Sequence, residues 1–120
     1  MRSVGVAAFT TTFILFLAIS TMAQQAYKLP DVRSLKHLTT QNADRARDIP
    51  VKETTMDFYD AGNGQVITVY SYLGRKFAFS THSNSDIQNT YRTFIDMEGR
   101  GLFQEINRGT QWEIPTWVRR

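Results

Sequence analysis

Apolar and polar residues alternate in three different ways along the chain, and each pattern predicts a different structure. From Val4 to Ile19 the chain is apolar apart from Gly5 and three threonines. From Gln24 to Lys52 it is polar, with prolines at 30 and 50 and one apolar series, Leu29, Val32, Leu35 and Leu38. That spacing of three predicts one short helix, with Asp31 as its cap and Thr39, Thr40 and Asn42 at its end. From Thr54 onward the period falls to two, which predicts strands.

Met56 and Phe58 flank Asp57, and the cluster Asp60-Ala61-Gly62-Asn63-Gly64 that follows reads as a turn. Gln65 to Tyr72 is rich in β-branched and aromatic residues, with Val66, Thr68, Tyr70 and Tyr72 on one face and Ile67, Val69 and Ser71 on the other. Apolar groups on both faces predict a central strand. Leu73-Gly74 supplies the next turn. Arg75 to His82 then alternates, with Phe77 and Phe79 on one side against Lys76, Ala78, Ser80 and His82 on the other. These segments predict a three-stranded antiparallel meander.

Two patterns overlap between Ser85 and Glu98. Ile87, Tyr91, Phe94 and Ile95 have helical spacing behind a capping box at Ser85 to Gln88, whereas Thr90, Tyr91, Thr93, Phe94 and Ile95 favour a sheet by composition. We take the strand, which Glu98 to Gly101 would turn into another at Leu102 to Asn107. Arg108-Gly109 is a further turn, and Gln111 to Ile114 a final short strand before Pro115. The expected fold is mostly β: a small antiparallel meander over 53–120, behind a polar segment 24–52 that carries the short helix. The alternative is α+β, with a helix at about 86–97.

The apolar start changes the picture of where this domain works. Arg2 is the only charge before Lys28, and Ser20-Thr21-Met22-Ala23 places small residues where a signal peptidase reads, so 1–23 has the layout of an export signal cut after Ala23. An uncleaved anchor is the competing reading, but the run is shorter than the roughly 20 residues that span a bilayer. Cleavage leaves about 97 residues, one domain by length. The expectation is a secreted or periplasmic protein with no stable membrane insertion after cleavage. The chain has no cysteine, which removes disulfides, thiol chemistry and cysteine-held zinc. Without Arg2 the net charge is +2 with signs interspersed, unlike the dense basic stripe of a nucleic-acid binder.

Candidate chemistry is sparse, and no cofactor or metal is expected. Asp96 to Gly101 has oxygen ligands at positions one and three and glycine at six, as in a calcium loop, but Arg100 and Asn107 stand where ligands should be. It reads as a glycine turn. His37 and His82 are the only histidines, and with Lys76 they are the candidates for acid, base and charge stabiliser in a ribonuclease-like hydrolase. No nucleophile elbow surrounds any serine. Tyr59, Tyr72, Arg75, Trp112 and Trp117 are the candidate binding residues, since tyrosine and tryptophan offer rigid contact area with a polar tip; for Tyr70 and Trp112 the core of the sheet is the commoner place, whereas Tyr59, Tyr72 and Trp117 lie at strand ends or in the tail. The sequence therefore favours a non-enzymatic binding or accessory protein that contacts another protein, for example an inhibitor, immunity or envelope factor. A small secreted hydrolase and a carbohydrate or cell-wall binder using Tyr72, Trp112 and Trp117 are the alternatives. An exposed edge strand would also allow a homodimer.

Overall fold

The computed structural model describes residues 25–42, 53–110 and 112–119. The expected export signal, 1–23, lies outside them. Six strands, β1 (Lys36–Asn42), β2 (Thr54–Gly62), β3 (Gln65–Tyr72), β4 (Arg75–Ser83), β5 (Arg92–Ile95) and β6 (Gln104–Ile106), form one open antiparallel sheet in chain order. Among the described residues no helix is long and apolar enough to cross a membrane.

Turn chemistry sets the register of the central hairpins. Asn63 and Gly64 join β2 to β3, and Leu73 and Gly74 join β3 to β4, each pair with positive φ at both residues. Such two-residue turns match the twist of paired strands. Asn63-Gly64 suits that geometry, whereas Leu73 adopts a φ of +49° that a leucine rarely takes.

A bulge revises the expected faces of β4. Tyr70 pairs with Ala78 but Ser71 with Lys76, so Phe77 is the extra residue on β4. Phe77 consequently joins Tyr70 and Ala78 in one buried cluster, while Phe79 belongs to another. The alternation that placed Phe77 and Phe79 together breaks at this residue, and both faces of β4 are buried: Phe77, Ala78 and Ser80 have no exposed surface and Phe79 is 4% exposed.

The two faces are covered by the two ends of the described chain. Met56, Tyr70, Phe77, Ala78 and Ile95 pack under Trp112, Ile114 and Val118 from the C-terminal segment. On the opposite face Phe79, Phe94 and Phe103 pack with Tyr27 and Leu29; Phe79 stacks on Phe94 at 4.6 Å and Tyr27 meets Phe94 edge-on at 4.8 Å. Tyr27 also pairs with Phe103 through two N–H···O=C bonds of 2.7 Å, beginning a further pairing on the outer edge of β6.

Three expected elements take other forms. The series Leu29, Val32, Leu35 and Leu38 is not helical: Val32 is buried, Leu35 N–H closes a turn on the Val32 carbonyl at 3.1 Å, and Leu38 lies in β1. A spacing of three also suits a chain that crosses a sheet face and turns, and the β-branched Thr39 and Thr40 favour pairing with β2. Asp31 caps no helix but accepts the Arg33 main-chain N–H and holds its guanidinium at 2.9 Å. Between Ser85 and Glu98 both readings are realised in part. Asp86 caps α1 (Ile87–Thr90), whose single turn ends at Tyr91 in extended backbone, and Arg92–Ile95 enters the sheet. Lastly, Trp112 to Pro115 makes no strand; it runs over the sheet face and ends in a 3₁₀ turn at Thr116–Arg119, because its apolar residues bury against that face rather than along an edge.

Candidate functional site

A groove of about 490 Å³ opens between the start of β5, the end of β6, residues 107–110 and Trp112. That volume falls in the range of binding sites, roughly 300–1,000 Å³. Tyr91 and Trp112 supply aromatic surface, Arg92, Glu105, Asn107 and Arg108 supply polar groups, and all six line the groove. Tyr91 is fixed from behind: its hydroxyl meets the Tyr70 hydroxyl at 2.8 Å, Tyr70 meets Ser80 at 3.3 Å, and the His82 ring stacks on Tyr91 at 5.8 Å. Trp112 stands edge-on to Tyr70 at 5.6 Å. The Arg108 guanidinium donates to the Asn89 and Tyr91 carbonyls at 2.9 and 3.3 Å, tying the loop after β6 to the end of α1. These contacts preorganise the walls, which lowers the ordering cost of binding.

Arg92 and Glu105 form the rim by a two-pronged pair of 3.0 and 2.7 Å across β5 and β6. The Arg92 guanidinium also lies 5.0 Å from the Phe94 ring centroid and 5.9 Å from that of Tyr27. Hydrogen bonds from Arg92 hold the Glu105 carboxyl below its usual value, and the same bonds make Arg92 hold its proton more tightly. A depressed folded value gives stability that is present above the unfolded carboxyl value and lost as pH falls through the folded one. With side chains 48% and 37% exposed, the pair contributes under about 1 kcal/mol. Glu105→Gln is expected to flatten the acid-side fall in stability by that small amount, measured as urea midpoints at descending pH.

The loop after β5 has a structural purpose. Asp96 is buried, and its carboxylate accepts N–H groups from Gly99 and Arg100 on Oδ1, at 2.8 and 3.2 Å, and from Gly101 on Oδ2, at 2.9 Å. The oxygens that suggested a calcium ligand thus close a glycine turn. Trp117 Nε1 donates to the Asp96 carbonyl at 2.7 Å, and a Cβ at Gly99 would lie 2.9 Å from the Trp117 ring.

The residues singled out from the sequence are scattered over the fold. His37 lies on β1 and His82 on β4, three strand spacings or about 14 Å apart. Lys76 lies at the other end of β4 from His82, about 20 Å along the strand. His82 Nδ1 is buried, and among the described residues no acid or other hydrogen-bond partner reaches that nitrogen to orient the ring. His37 Nε2 meets both Thr40 Oγ1 at 3.0 Å and Asp57 Oδ1 at 3.1 Å, and Thr40 donates to the same carboxylate oxygen. One nitrogen serving hydroxyl and acid together is not a relay, which needs the two ring nitrogens in separate roles. The cluster instead tethers β1, whose residues are all exposed, to β2, where Tyr59 packs edge-on against His37 at 5.3 Å.

Tyr72, Arg75, Trp112 and Trp117 do converge, but around the C-terminal segment. Tyr72 and Trp117 pack against the buried cluster that contains Trp112, and the Arg75 guanidinium donates to the Val118 carbonyl at 3.0 Å. Of the five candidate binding residues only Trp112 lines the groove. Its other walls, Tyr91, Glu105, Asn107 and Arg108, carry no local motif; they meet only because β5 and β6 pair and Arg108 reaches back to α1. No protein-family model, curated protein or solved structure matches the chain.

Proposed function

We propose that this is an exported binding protein that works by contact with another protein, taking an extended segment of that partner along the groove at the β6 side of the sheet. The observation that carries the reading is the groove itself: about 490 Å³, open, and walled by aromatic and paired polar side chains that are already fixed. The edge beside it already accepts added backbone. Tyr27 takes the N–H and carbonyl of Phe103, and by the alternation of an antiparallel ladder those of Glu105, on the groove rim, point the same way. Extended peptides are commonly held in this manner, with main-chain bonds for affinity and side-chain pockets for specificity. Work outside the cytoplasm is supported by Arg2, the apolar run Val4 to Ile19 and the small residues ending at Ala23.

The hydrolase and sugar-binding readings have less support. The two histidines and Lys76 are spread over the sheet, and of Tyr72, Trp112 and Trp117 only Trp112 lines the groove, the other two packing against the buried cluster. The test is affinity capture from an extract of the compartment to which the chain is exported. Asn107→Trp, at an exposed residue of the groove, is expected to abolish capture of a partner that the unaltered protein retains in stoichiometric amount. Gln41→Trp, on β1, is expected to capture it as before. Equal capture by both variants would move the binding surface away from the groove.

A further inference from the structure

Three charged residues line the groove: Arg92, Glu105 and Arg108. Two of them offset each other. Both Glu105 oxygens are taken by Arg92, Oε2 by Nε at 3.0 Å and Oε1 by Nη2 at 2.7 Å. A cation carried by a guest would therefore meet a rim carboxylate already paired on both oxygens.

Arg108 has no such counterpart. No carboxylate among the described residues lies within ion-pair distance of it. Asp86, at the start of α1, is turned to its own loop, accepting the Asn89 main-chain N–H at 3.4 Å and the Asn89 side-chain amide at 3.0 Å. Glu113, next to Trp112, is exposed and does not line the groove.

The two bonds that Arg108 does make place it without neutralising it. Both leave from Nη2 and end on neutral carbonyls, those of Asn89 at 2.9 Å and Tyr91 at 3.3 Å. The N–H groups of Nε and Nη1 have no partner among the described residues, and the side chain is exposed. Its backbone is held as well. Asn107 to Thr110 is a turn closed by the Thr110 N–H on the Asn107 carbonyl at 3.1 Å, with Gly109 at a φ of +81° in the third position, where a type II turn needs it. The cation is thus ordered before a guest arrives, which spares affinity. Tyr91, Ile106 and Trp112 line the same groove, and beside such apolar walls an ionic hydrogen bond is stronger than in open water.

From these observations we infer that the segment taken by the groove bears a carboxylate, which pairs with Arg108 through the N–H groups that the two carbonyls leave over. This rests on the reading of the groove as the site of an extended segment, and it names the charge that the segment carries. An Asp or Glu side chain and a C-terminal carboxylate offer the same chemistry.

The test is retention of hexapeptide pools on the immobilised exported chain. One pool has random sequence and a free C-terminus, a second is the same but amidated, and a third is amidated and made without Asp and Glu. The third is expected to be retained about tenfold less than the first, the loss of one charge-assisted bond. A second pool held as well as the first assigns the carboxylate to a side chain; a second pool as weak as the third assigns it to the C-terminus. Arg108→Gln is expected to lower retention of the first pool about tenfold and to leave that of the third unchanged, whereas Arg108→Lys keeps the preference. Equal retention of all pools, or a loss in Arg108→Gln that falls on all pools alike, would overturn the inference. If Asn107→Trp still abolished retention, the groove itself would stand; no retention above that of Asn107→Trp in any pool would remove both.

Discussion

Replacing Phe77 with alanine is expected to lower the unfolding free energy by about 3–5 kcal/mol, the cost of emptying a fully buried aromatic site. Phe77 has no exposed surface, packs in the cluster with Tyr70, Ala78 and Ile95, and stands 6.2 Å from the Trp112 ring centroid. Its position on a bulge adds to the effect, because its neighbours on a kinked strand have little freedom to collapse into the space. Domains of this size have roughly 5–15 kcal/mol in total, so the variant should sit near the edge of folding. Urea unfolding reads it: the midpoint should drop steeply with the slope unchanged. Phe79→Ala, in the other cluster, should be costly but separable, and the two losses should add, since the clusters lie on opposite faces. A loss below about 1 kcal/mol for Phe77→Ala would contradict the packing described.

The second large effect concerns Asp96. Asp96→Ala removes the acceptor for three main-chain N–H groups at a partly buried turn, with an expected cost of about 2–4 kcal/mol. Asp96→Asn keeps an acceptor for Gly99 and Arg100 and should cost less than half as much. Trp117 supplies a local readout, since its Nε1 bond goes to the Asp96 carbonyl and its ring lies against Gly99. In Asp96→Ala its fluorescence should shift toward that of exposed indole before global unfolding. If Asp96 instead served a bound cation, loss of the carboxylate would alter cation dependence and leave the fluorescence in cation-free buffer unchanged.

Much of the sheet can be read from local signals. Period-two alternation and turn residues delimit β2, β3 and β4, and the glycine-rich stretch at Glu98 to Gly101 marks the reversal between β5 and β6. What escapes is whatever depends on distant partners. The bulge at Phe77 arises from its pairing with β3 and leaves no mark in the alternation of β4. The segment after Gln111 has strand-like residues, yet its apolar side chains cover Met56, Tyr70 and Ile95 rather than joining an edge. Likewise Leu29 and Val32 answer to a sheet face, which a spacing of three cannot distinguish from a helix stripe.

The candidate site was less legible than the fold, for the same reason. Tryptophan and tyrosine suit a contact surface and a core alike; Trp112 lies in the buried cluster, and Trp117 packs against it and donates to the Asp96 carbonyl. The groove owes its shape to Arg108 reaching the Asn89 and Tyr91 carbonyls and to Arg92 gripping Glu105, contacts across 19, 17 and 13 residues. Residue types at those positions are ordinary for exposed strand ends and turns, so only the three-dimensional pairing sets them apart.

We propose above that the groove at the β6 side takes an extended segment of a partner protein. Amide hydrogen exchange on the complex with the captured partner addresses it residue by residue. Exchange is expected to slow at Tyr91 to Thr93 and at Glu105 to Thr110, with Lys36 to Asn42 unchanged. Protection confined to β1, with the groove exchanging as it does in the free protein, would contradict it.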